Sequence, residues 1–398
     1  MAKREEWSEV PELIGVTRNS FAADIHAQKG LTCVSCHGGD ASQDDAEVAM
    51  GRAAGFRAKP DRARIPQLCA RCHSDGSFMR NYNPSLRTDQ LSQYKTSVHG
   101  RRLEKLDVKV AVCTDCHGVH GILPAGDSRS SVHPLNVATT CSRCHADAAY
   151  MKGYSIPSDQ FASYSASVHH KAMVERGDLS APTCSTCHGN HGAAPPGVAS
   201  VEFVCANCHV FQSQLFDVSP HKQAFAALDL PSCVTCHSNH RIGQPSDAML
   251  GAGPQSVCTN CHAEGDAGFQ AAKSIQERLL GLETAIHRAE EILGRAERSG
   301  MEVSEPLLEL TQARDALTKA RVTIHAFDVQ RVEGDINPGL KTATAGVQAG
   351  EKALAELGFR RRGLGTSVVL VLIVLAGLYF YIREIERPGA SPGSPDQN

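Results

Sequence analysis

The residues in this sequence best suited to chemistry are its cysteines, because all of them belong to copies of one motif. The chain has 16 cysteines in 398 residues, and they form eight CxxCH motifs with no cysteine left over. The motifs are Cys33–Cys36–His37, Cys69–Cys72–His73, Cys113–Cys116–His117, Cys141–Cys144–His145, Cys184–Cys187–His188, Cys205–Cys208–His209, Cys233–Cys236–His237 and Cys258–Cys261–His262.

CxxCH is the attachment signature of c-type haem. The two thiols form thioethers with the porphyrin vinyl groups, and the histidine that follows is held under the iron as the proximal ligand. Zinc needs paired CxxC units converging on one tetrahedral ion, and neither zinc nor a disulfide requires a histidine after each second cysteine. The sequence therefore predicts eight covalently attached haems.

The composition agrees with an interior filled by a cofactor. Only 5% of the residues are aromatic, and there is one tryptophan. Gly, Pro, Ser and Ala are plentiful in the first two thirds, which is too poor in large apolar side chains for an ordinary core. The formal net charge of −3 gives no indication of nucleic-acid binding.

Distal ligands are predicted from histidines that recur beside the motifs. A six-coordinate iron needs a second ligand on its opposite face. Within three residues the chain cannot easily pass around a porphyrin edge, so a histidine three positions after a motif is expected to bind a neighbouring haem. The candidates after a motif are His120, His191 and His240, and those upstream of the first, third, fifth and seventh motifs are His26, His99, His169 and His221.

These seven histidines leave one haem without a distal ligand. The first motif has no histidine three positions on, because Gly38, Gly39 and Asp40 follow it. We prefer His325, in VTIHAFD, for the eighth position, because a carboxy-terminal helix could fold back onto the haem region. The alternatives are His133, His170 and His287, and for any single histidine a surface or hydrogen-bonded role is the competing interpretation.

The haem region, residues 21–265, contains an internal repeat. TDQLSQYKTSVHG (Thr88–Gly100) matches SDQFASYSASVHH (Ser158–His170). We infer that the region consists of four two-haem units, of which the first is degenerate and the last is shortened. We expect short helices around the motifs, joined by loops such as APPG and SNHRIGQPSD, and no strands. The fold predicted is thus mainly α with extensive loops, preceded by an amino-terminal segment, residues 1–20.

Residues 266–360 have the pattern of long helices. Apolar residues recur at helical spacing from Ile275 to Leu293 and again from Leu310 to Ile324. An Asn-Pro-Gly break at Asn337–Gly339 is expected to precede a third helix that ends near Leu357. The prediction is an antiparallel helical hairpin plus one more helix, packed on the haem domain; a partner-binding coiled coil is the alternative.

Residues 363–382 contain no charge and are long enough to span a bilayer as one helix, with a short, disordered tail at 383–398. The start, MAKREEWSEV, lacks the apolar region of a signal peptide, and Arg360–Arg362 lie on the haem side of the span. Both observations argue for a cytoplasmic haem region, but haem is attached to CxxCH motifs outside the bacterial cytoplasm, and eight such motifs are the stronger indication. We therefore expect a single-pass protein of the bacterial cytoplasmic membrane whose haem domain faces the periplasm, exported by an upstream leader or another signal.

Over about residues 20 to 360 the chain resembles bacterial multihaem c-type cytochromes with doubled CxxCH motifs, a class III cytochrome c-like group. GDLSAPTCSTCHGNHGAAPPGV and IHAFD carry the resemblance most clearly. It implies bis-histidine, low-spin haems and respiratory electron transfer, and it favours His325 as a ligand. The chain is also similar to the hydroxylamine oxidoreductase and nitrite reductase superfamily, although it lacks the CxxCK motif of the nitrite reductases.

The predicted function is a membrane-anchored electron carrier rather than an enzyme. Two imidazoles per iron leave no site for a substrate, which argues against an enzyme. The protein would take electrons from a quinol dehydrogenase or another cytochrome and deliver them to a periplasmic acceptor. The alternative is a multihaem reductase of a nitrogen or sulfur oxyanion with one open iron. A third possibility is an electron-storing scaffold within a larger complex.

Overall fold

The structure is a computed structural model that describes residues 21–193 and 201–387 together with Gly389; for residues 201–203 it describes only the backbone. In these ranges the chain forms α-helices and short 3-10 turns, and no residue is in a strand. The mainly helical fold predicted from the sequence is confirmed. The predicted segment 1–20, the APPG loop and the tail from residue 390 onward lie outside the described residues.

The chain divides into two compact units. The first contains residues up to 210 and residues 225–245, and the second contains residues 211–224 and those from 246 onward. The helices, in chain order, are α1 (Ile25–Gln28), α2 (Cys33–His37), α3 (Ala46–Ala49), α4 (Ile65–His73), α5 (Gly76–Arg80), α6 (Gln90–Thr96), α7 (Val98–Glu104), α8 (Cys113–His117), α9 (Pro134–His145), α10 (Ala148–Met151), α11 (Gln160–Ser165), α12 (Val168–Arg176), α13 (Cys184–His188), α14 (Val201–Ala206), α15 (Val210–Asp217), α16 (Pro220–Ala227), α17 (Ser232–His237), α18 (Ala267–Arg298), α19 (Ser304–Thr323) and α20 (Val329–Ile385).

The first unit has short helices with few apolar side chains between them. Its described apolar clusters are small, comprising Leu103, Val110 and Val112 in one and Ala172, Met173 and Ala181 in the other. Burial of apolar surface is the main force that stabilises a fold, and these clusters provide little of it. The sparse clusters agree with the expectation that a cofactor supplies the missing apolar bulk.

The second unit has a continuous apolar core where the long helices α18, α19 and α20 pack together. Leu279, Leu282 and Leu293 of α18 are completely buried, and Leu310 of α19 is 1% exposed. The two apolar stripes predicted from the sequence are therefore packing faces. From α20 the core receives mainly small residues, spaced alternately four and three apart: Gly339, Ala343, Gly346, Gly350 and Ala353.

The predicted break at Asn337–Gly339 is wrong, because α20 continues through it with Pro338 inside the helix. Pro338 cannot donate the usual backbone hydrogen bond, a cost that normally ends or kinks a helix. Tertiary packing on both sides compensates for it. Ile336 is 1% exposed, and a Cβ on Gly339 would lie 2.8 Å from Cβ of Ala316, so this glycine permits a close helix contact.

The same helix contains the predicted membrane span. Val329–Ile385 is long and apolar enough to cross a membrane, judged by length and composition, and its most apolar stretch is not buried in the protein. Instead of a separate third helix and a span, one helix of 57 residues runs from the core through residues 363–382 and ends at Ile385. Residues 383–385, which were expected to belong to the tail, are its last residues.

Gly350 provides a test of the close contact between α18 and α20. A Cβ there would overlap Cγ2 of Ile292 and lie 3.2 Å from the backbone N of Leu293. We expect Gly350→Ala to lower the free energy of unfolding by about 1–3 kcal/mol through overpacking. Gly281→Ala on α18, where a Cβ meets nothing within 4 Å, is the control and should raise it by about 0.5–1 kcal/mol. Thermal unfolding of the full chain in detergent measures both, and equal stabilities would contradict the packing.

Candidate haem sites

The CxxCH motifs occur in two local structures that alternate along the chain. The first, third, fifth and seventh motifs form the short helices α2, α8, α13 and α17. Each of these helices ends at the proximal histidine and is followed by a residue with positive φ, namely Gly38 (69°), Gly118 (85°), Gly189 (79°) or Ser238 (66°). Glycine adopts this conformation without steric cost, and it turns the chain sharply after the proximal histidine.

The remaining motifs lie at or after the ends of helices without that turn. His73 and His145 are the last residues of α4 and α9, and the residues that follow them remain in the right-handed helical region. The eighth motif begins in a 3-10 turn, Cys258–Asn260. The four proximal histidines of this class are consequently presented differently from those of the other four motifs.

Seven proximal histidines each lie opposite one of the predicted distal histidines. The ring centroids are 5.9 Å apart for His26–His73, 6.0 Å for His37–His120, 6.1 Å for His99–His145, 6.1 Å for His117–His191, 6.3 Å for His169–His209, 6.0 Å for His188–His240 and 5.9 Å for His221–His262. All seven distal candidates that the repeated sequence contexts identify are therefore in such pairs.

The constant distance fits an iron atom between the two rings. An imidazole nitrogen binds a metal at about 2 Å, and its ring centre lies roughly 1 Å further back, so two axial imidazoles have centroids about 6 Å apart. The interplanar angles of the seven pairs range from 12° to 86°. Direct ring contacts favour particular stacking angles, whereas two ligands of one iron share an axis about which each ring can turn.

The seven pairs of proximal and distal histidines follow one rule. An upstream histidine lies opposite the proximal histidine of the second motif of its own repeat, as His99 does with His145. The histidine three positions after a motif lies opposite the proximal histidine of the preceding repeat, as His120 does with His37. The first motif needs no following histidine of its own under this rule, because no repeat precedes it.

Three histidines of the pairs have surroundings that favour the neutral imidazole, the form that binds a metal. Burial lowers the pKa of His73, His99 and His117 below the ordinary histidine value, and the nearby charge of a second histidine lowers it further. His37 has its tautomer fixed as well. Its Nδ1 donates to the carbonyl of Arg57 at 2.9 Å, which leaves Nε2 to act as a ligand.

Repeated hydrogen bonds join successive repeats beside these histidines. The backbone N–H before an upstream histidine donates to a carbonyl two residues after the near histidine of the next repeat. The bonds are Ile25 N to Ile122 O (2.8 Å), Val98 N to Ala193 O (3.0 Å) and Val168 N to Ile242 O (2.9 Å). Each bond therefore fixes an upstream histidine relative to the near histidine of the next repeat.

The sequence prediction missed the residues that position the upstream histidines. Two residues before each of these lies a buried polar residue: Asp24 (2% exposed), Ser97 (1%), Ser167 (0%) and Ser219 (5%). Ser97 accepts from Gly100 N and Ser167 from His170 N, so both cap the helix that carries the histidine. The recurring spacing of Asp or Ser two residues before the histidine is the signal that could have identified them.

Attachment positions of consecutive motifs also adjoin. The first cysteine of an even-numbered motif contacts the first cysteine of the next odd-numbered one, in Cys69–Cys113, Cys141–Cys184 and Cys205–Cys233. Gln90 and Gln160, at matching positions of the repeat, each bury an Oε1 that has no hydrogen-bond partner among the described residues. A buried acceptor without a protein partner is expected to meet water or a bound group, which fits a cofactor beside the repeat.

The remaining histidines differ in the hydrogen bonds of their ring nitrogens and in their exposure. His133 caps α9 and accepts from Leu135 N through Nδ1 (3.3 Å), so its neutral ring carries the proton on Nε2. The His287 side chain is 72% exposed and lies 3.3 Å from Glu290. His325 donates from Nδ1 to the carbonyl of Val322 at 2.9 Å, which fixes the tautomer that carries its proton on Nδ1. The next residue but one, Phe327, lies against the ring of His221 with centroids 4.0 Å apart.

Comparison with known families agrees with this geometry. Residues 25–146 match the family model described as cytochrome c3, and residues 226–267 match the one described as doubled CXXCH motif. No curated protein and no solved structure matches the chain. The two matches include the first four motifs and the last two, and they support a multihaem c-type cytochrome with a cytochrome c3-like domain, a class whose domains imply electron transfer.

The pairing rule predicts which haem is affected when a near histidine is removed. We expect His191→Ala to open the haem bound at Cys113 and Cys116, because His191 lies opposite His117 and not opposite His188 of its own motif. One haem per chain should become high-spin, and added imidazole should restore it. A cryo-EM map of the holoprotein checks the assignment directly. Density that joins His191 to the haem at Cys184 and Cys187 would contradict it.

Proposed function

We propose that this chain is a membrane-anchored, eight-haem electron carrier of a bacterial respiratory chain, and not a reductase with a substrate site. The observation that carries the proposal is the opposition of seven proximal and seven distal histidines at nearly one distance. When bound, the haems supply reversible one-electron oxidation and reduction at iron. Histidine on both faces of an iron leaves no coordination position for an oxyanion.

The protein around the sites holds the ligands rather than a substrate. Backbone bonds between repeats and buried caps fix the imidazoles, and the contacts between cysteines of consecutive motifs keep attachment positions close together. Rigid ligands favour electron transfer, because little has to rearrange when the charge on an iron changes. The partners are redox proteins, with a quinol dehydrogenase or another cytochrome as donor and a periplasmic protein as acceptor.

We propose His325 as the eighth distal ligand. The tautomer supports it, since the bond from Nδ1 to the Val322 carbonyl holds the proton on Nδ1, as in histidines that bind a metal through Nε2. Of the alternatives, His133 uses its Nδ1 as a helix cap, and His287 is exposed on α18. The 3-10 turn Ile324–Ala326 that carries His325 is fixed at the end of α19, where Ala326 is buried.

The continuous helix α20 supports membrane attachment. Its exposed residues from Val368 to Ile382 are apolar, and they lie on the same helix as the residues up to Ala353 that pack in the core of the second unit. A bilayer is the solvent that such an exposed apolar helix requires. We propose one span at residues 363–382 and a periplasmic haem domain, because c-type haems are attached outside the cytoplasm.

Low-temperature EPR of the oxidised holoprotein, with spins integrated against total haem, tests the function. We expect low-spin, bis-histidine signals that account for eight haems per chain and do not change when nitrite, hydroxylamine or cyanide is added. A stoichiometric high-spin signal that shifts with one of these ligands would show an open iron and favour the reductase.

Replacing His325 tests the eighth ligand. We expect His325→Ala to convert one haem in eight to a high-spin form that binds cyanide, with the haem content unchanged. His287→Ala, on the exposed face of α18, is the control and should leave every haem low-spin. The assignment would be refuted if His325→Ala retained eight low-spin haems.

A further inference from the structure

The buried polar residues two positions before the upstream histidines are not chemically equivalent. Three of the four are serines, Ser97, Ser167 and Ser219, whereas the first repeat has a carboxylate, Asp24, at the same position. Its side chain is 2% exposed. An ionised carboxylate costs much more to bury than a hydroxyl group. Capping alone does not account for it, since Ser97 and Ser167 cap their helices with a neutral oxygen.

Asp24 makes a contact that the described hydrogen bonds of the serine caps do not include. Its Oδ1 lies 2.9 Å from Nδ1 of His26 and also accepts the backbone N–H of His26 at 2.8 Å. Its Oδ2 accepts Ile122 N at 2.9 Å. Ser97 and Ser167 instead accept a backbone N–H one residue beyond the histidine, from Gly100 at 2.9 Å and His170 at 3.2 Å.

The contact with Nδ1 determines what His26 offers through its other nitrogen. A carboxylate accepts the Nδ1 proton, which fixes the tautomer with Nε2 as the ligating atom and makes the ring a stronger electron donor. A more basic axial ligand, with a buried negative charge behind it, stabilises the more positive, oxidised iron. Both effects lower the reduction potential.

We propose that Asp24 is a positioning residue that gives the haem held by His26 and His73 a lower reduction potential than serine caps would give. The inference rests on the proposed function, because it requires His26 to be an iron ligand. A low-potential site in the first repeat would make electrons leave that haem readily for the others.

A spectroscopic feature allows the haem to be followed among eight. The rings of His26 and His73 are almost perpendicular, at 84°, and only His221–His262, at 86°, is similar among the seven described pairs. Perpendicular axial imidazoles give low-spin EPR signals of unusually large anisotropy. Two haems per chain should therefore show such a signal, and a potentiometric titration monitored by EPR gives their midpoint potentials.

The experiment compares Asp24→Asn, Asp24→Ser and Asp24→Glu in the full holoprotein. Asp24→Ser reproduces the cap of the other repeats. We expect Asn and Ser to raise the midpoint of one of the two anisotropic signals, increasing its reduced-to-oxidised ratio at least tenfold at the wild-type midpoint, which is 59 mV for one electron. Asp24→Glu keeps a carboxylate and should raise this midpoint less than Asn or Ser does. The midpoint of the other anisotropic signal should not change in any of the three variants.

Two different failures can be told apart. If the anisotropic signals keep their intensity and the midpoint is unchanged in Asp24→Asn and Asp24→Ser, then Asp24 is only a helix cap and the inference is overturned. If the wild-type protein shows a high-spin haem in place of one of these low-spin signals, the ligand assignment and with it the proposed function are wrong.

Discussion

The rest of this structure depends on the opposition of two imidazoles about 6 Å apart, repeated seven times in the described pairs. This distance is a demanding constraint, because the two rings of a pair belong to separate segments of the chain and often to different repeats. Capped helices, positive-φ glycines and backbone bonds between repeats all serve to hold it. The sparse apolar clusters of the first unit show that little else is available there to order the chain.

The displacement of ligands by one repeat explains irregularities at the two ends. A near histidine lies opposite a proximal histidine of the repeat before its own, so under the proposed ligation the first motif can be followed by Gly38, Gly39 and Asp40 without loss of a ligand. No repeat after the last one is present in the sequence to offer a near histidine, so the proposed scheme requires a ligand of another kind there, as expected from the sequence. Pro220 fits the pattern too. It occupies the place of Ile25, Val98 and Val168 but has no N–H to donate to a following repeat.

The sequence predicted the motifs and the recurring histidines because covalent haem attachment demands fixed residue types at fixed spacing. It did not predict the break correctly, since Pro338 and Gly339 are local signals and the packing of Ile336 and Gly339 overrides them. The buried caps were missed for a related reason. A serine two residues before a histidine is unremarkable in one repeat and acquires meaning only when the structure shows that Ser97 and Ser167 are both buried.

The continuous helix α20 would connect the proposed membrane span to a packed bundle rather than to a flexible linker. A linker lets a domain sample many orientations, whereas 57 residues of one helix transmit the direction of the span into the core of the second unit. The small residues of α20 bring its backbone close to α18, and close packing resists bending. His221, the last motif and the turn that carries His325 belong to this same unit, so packed helices of one unit would join these candidate ligands to the proposed span.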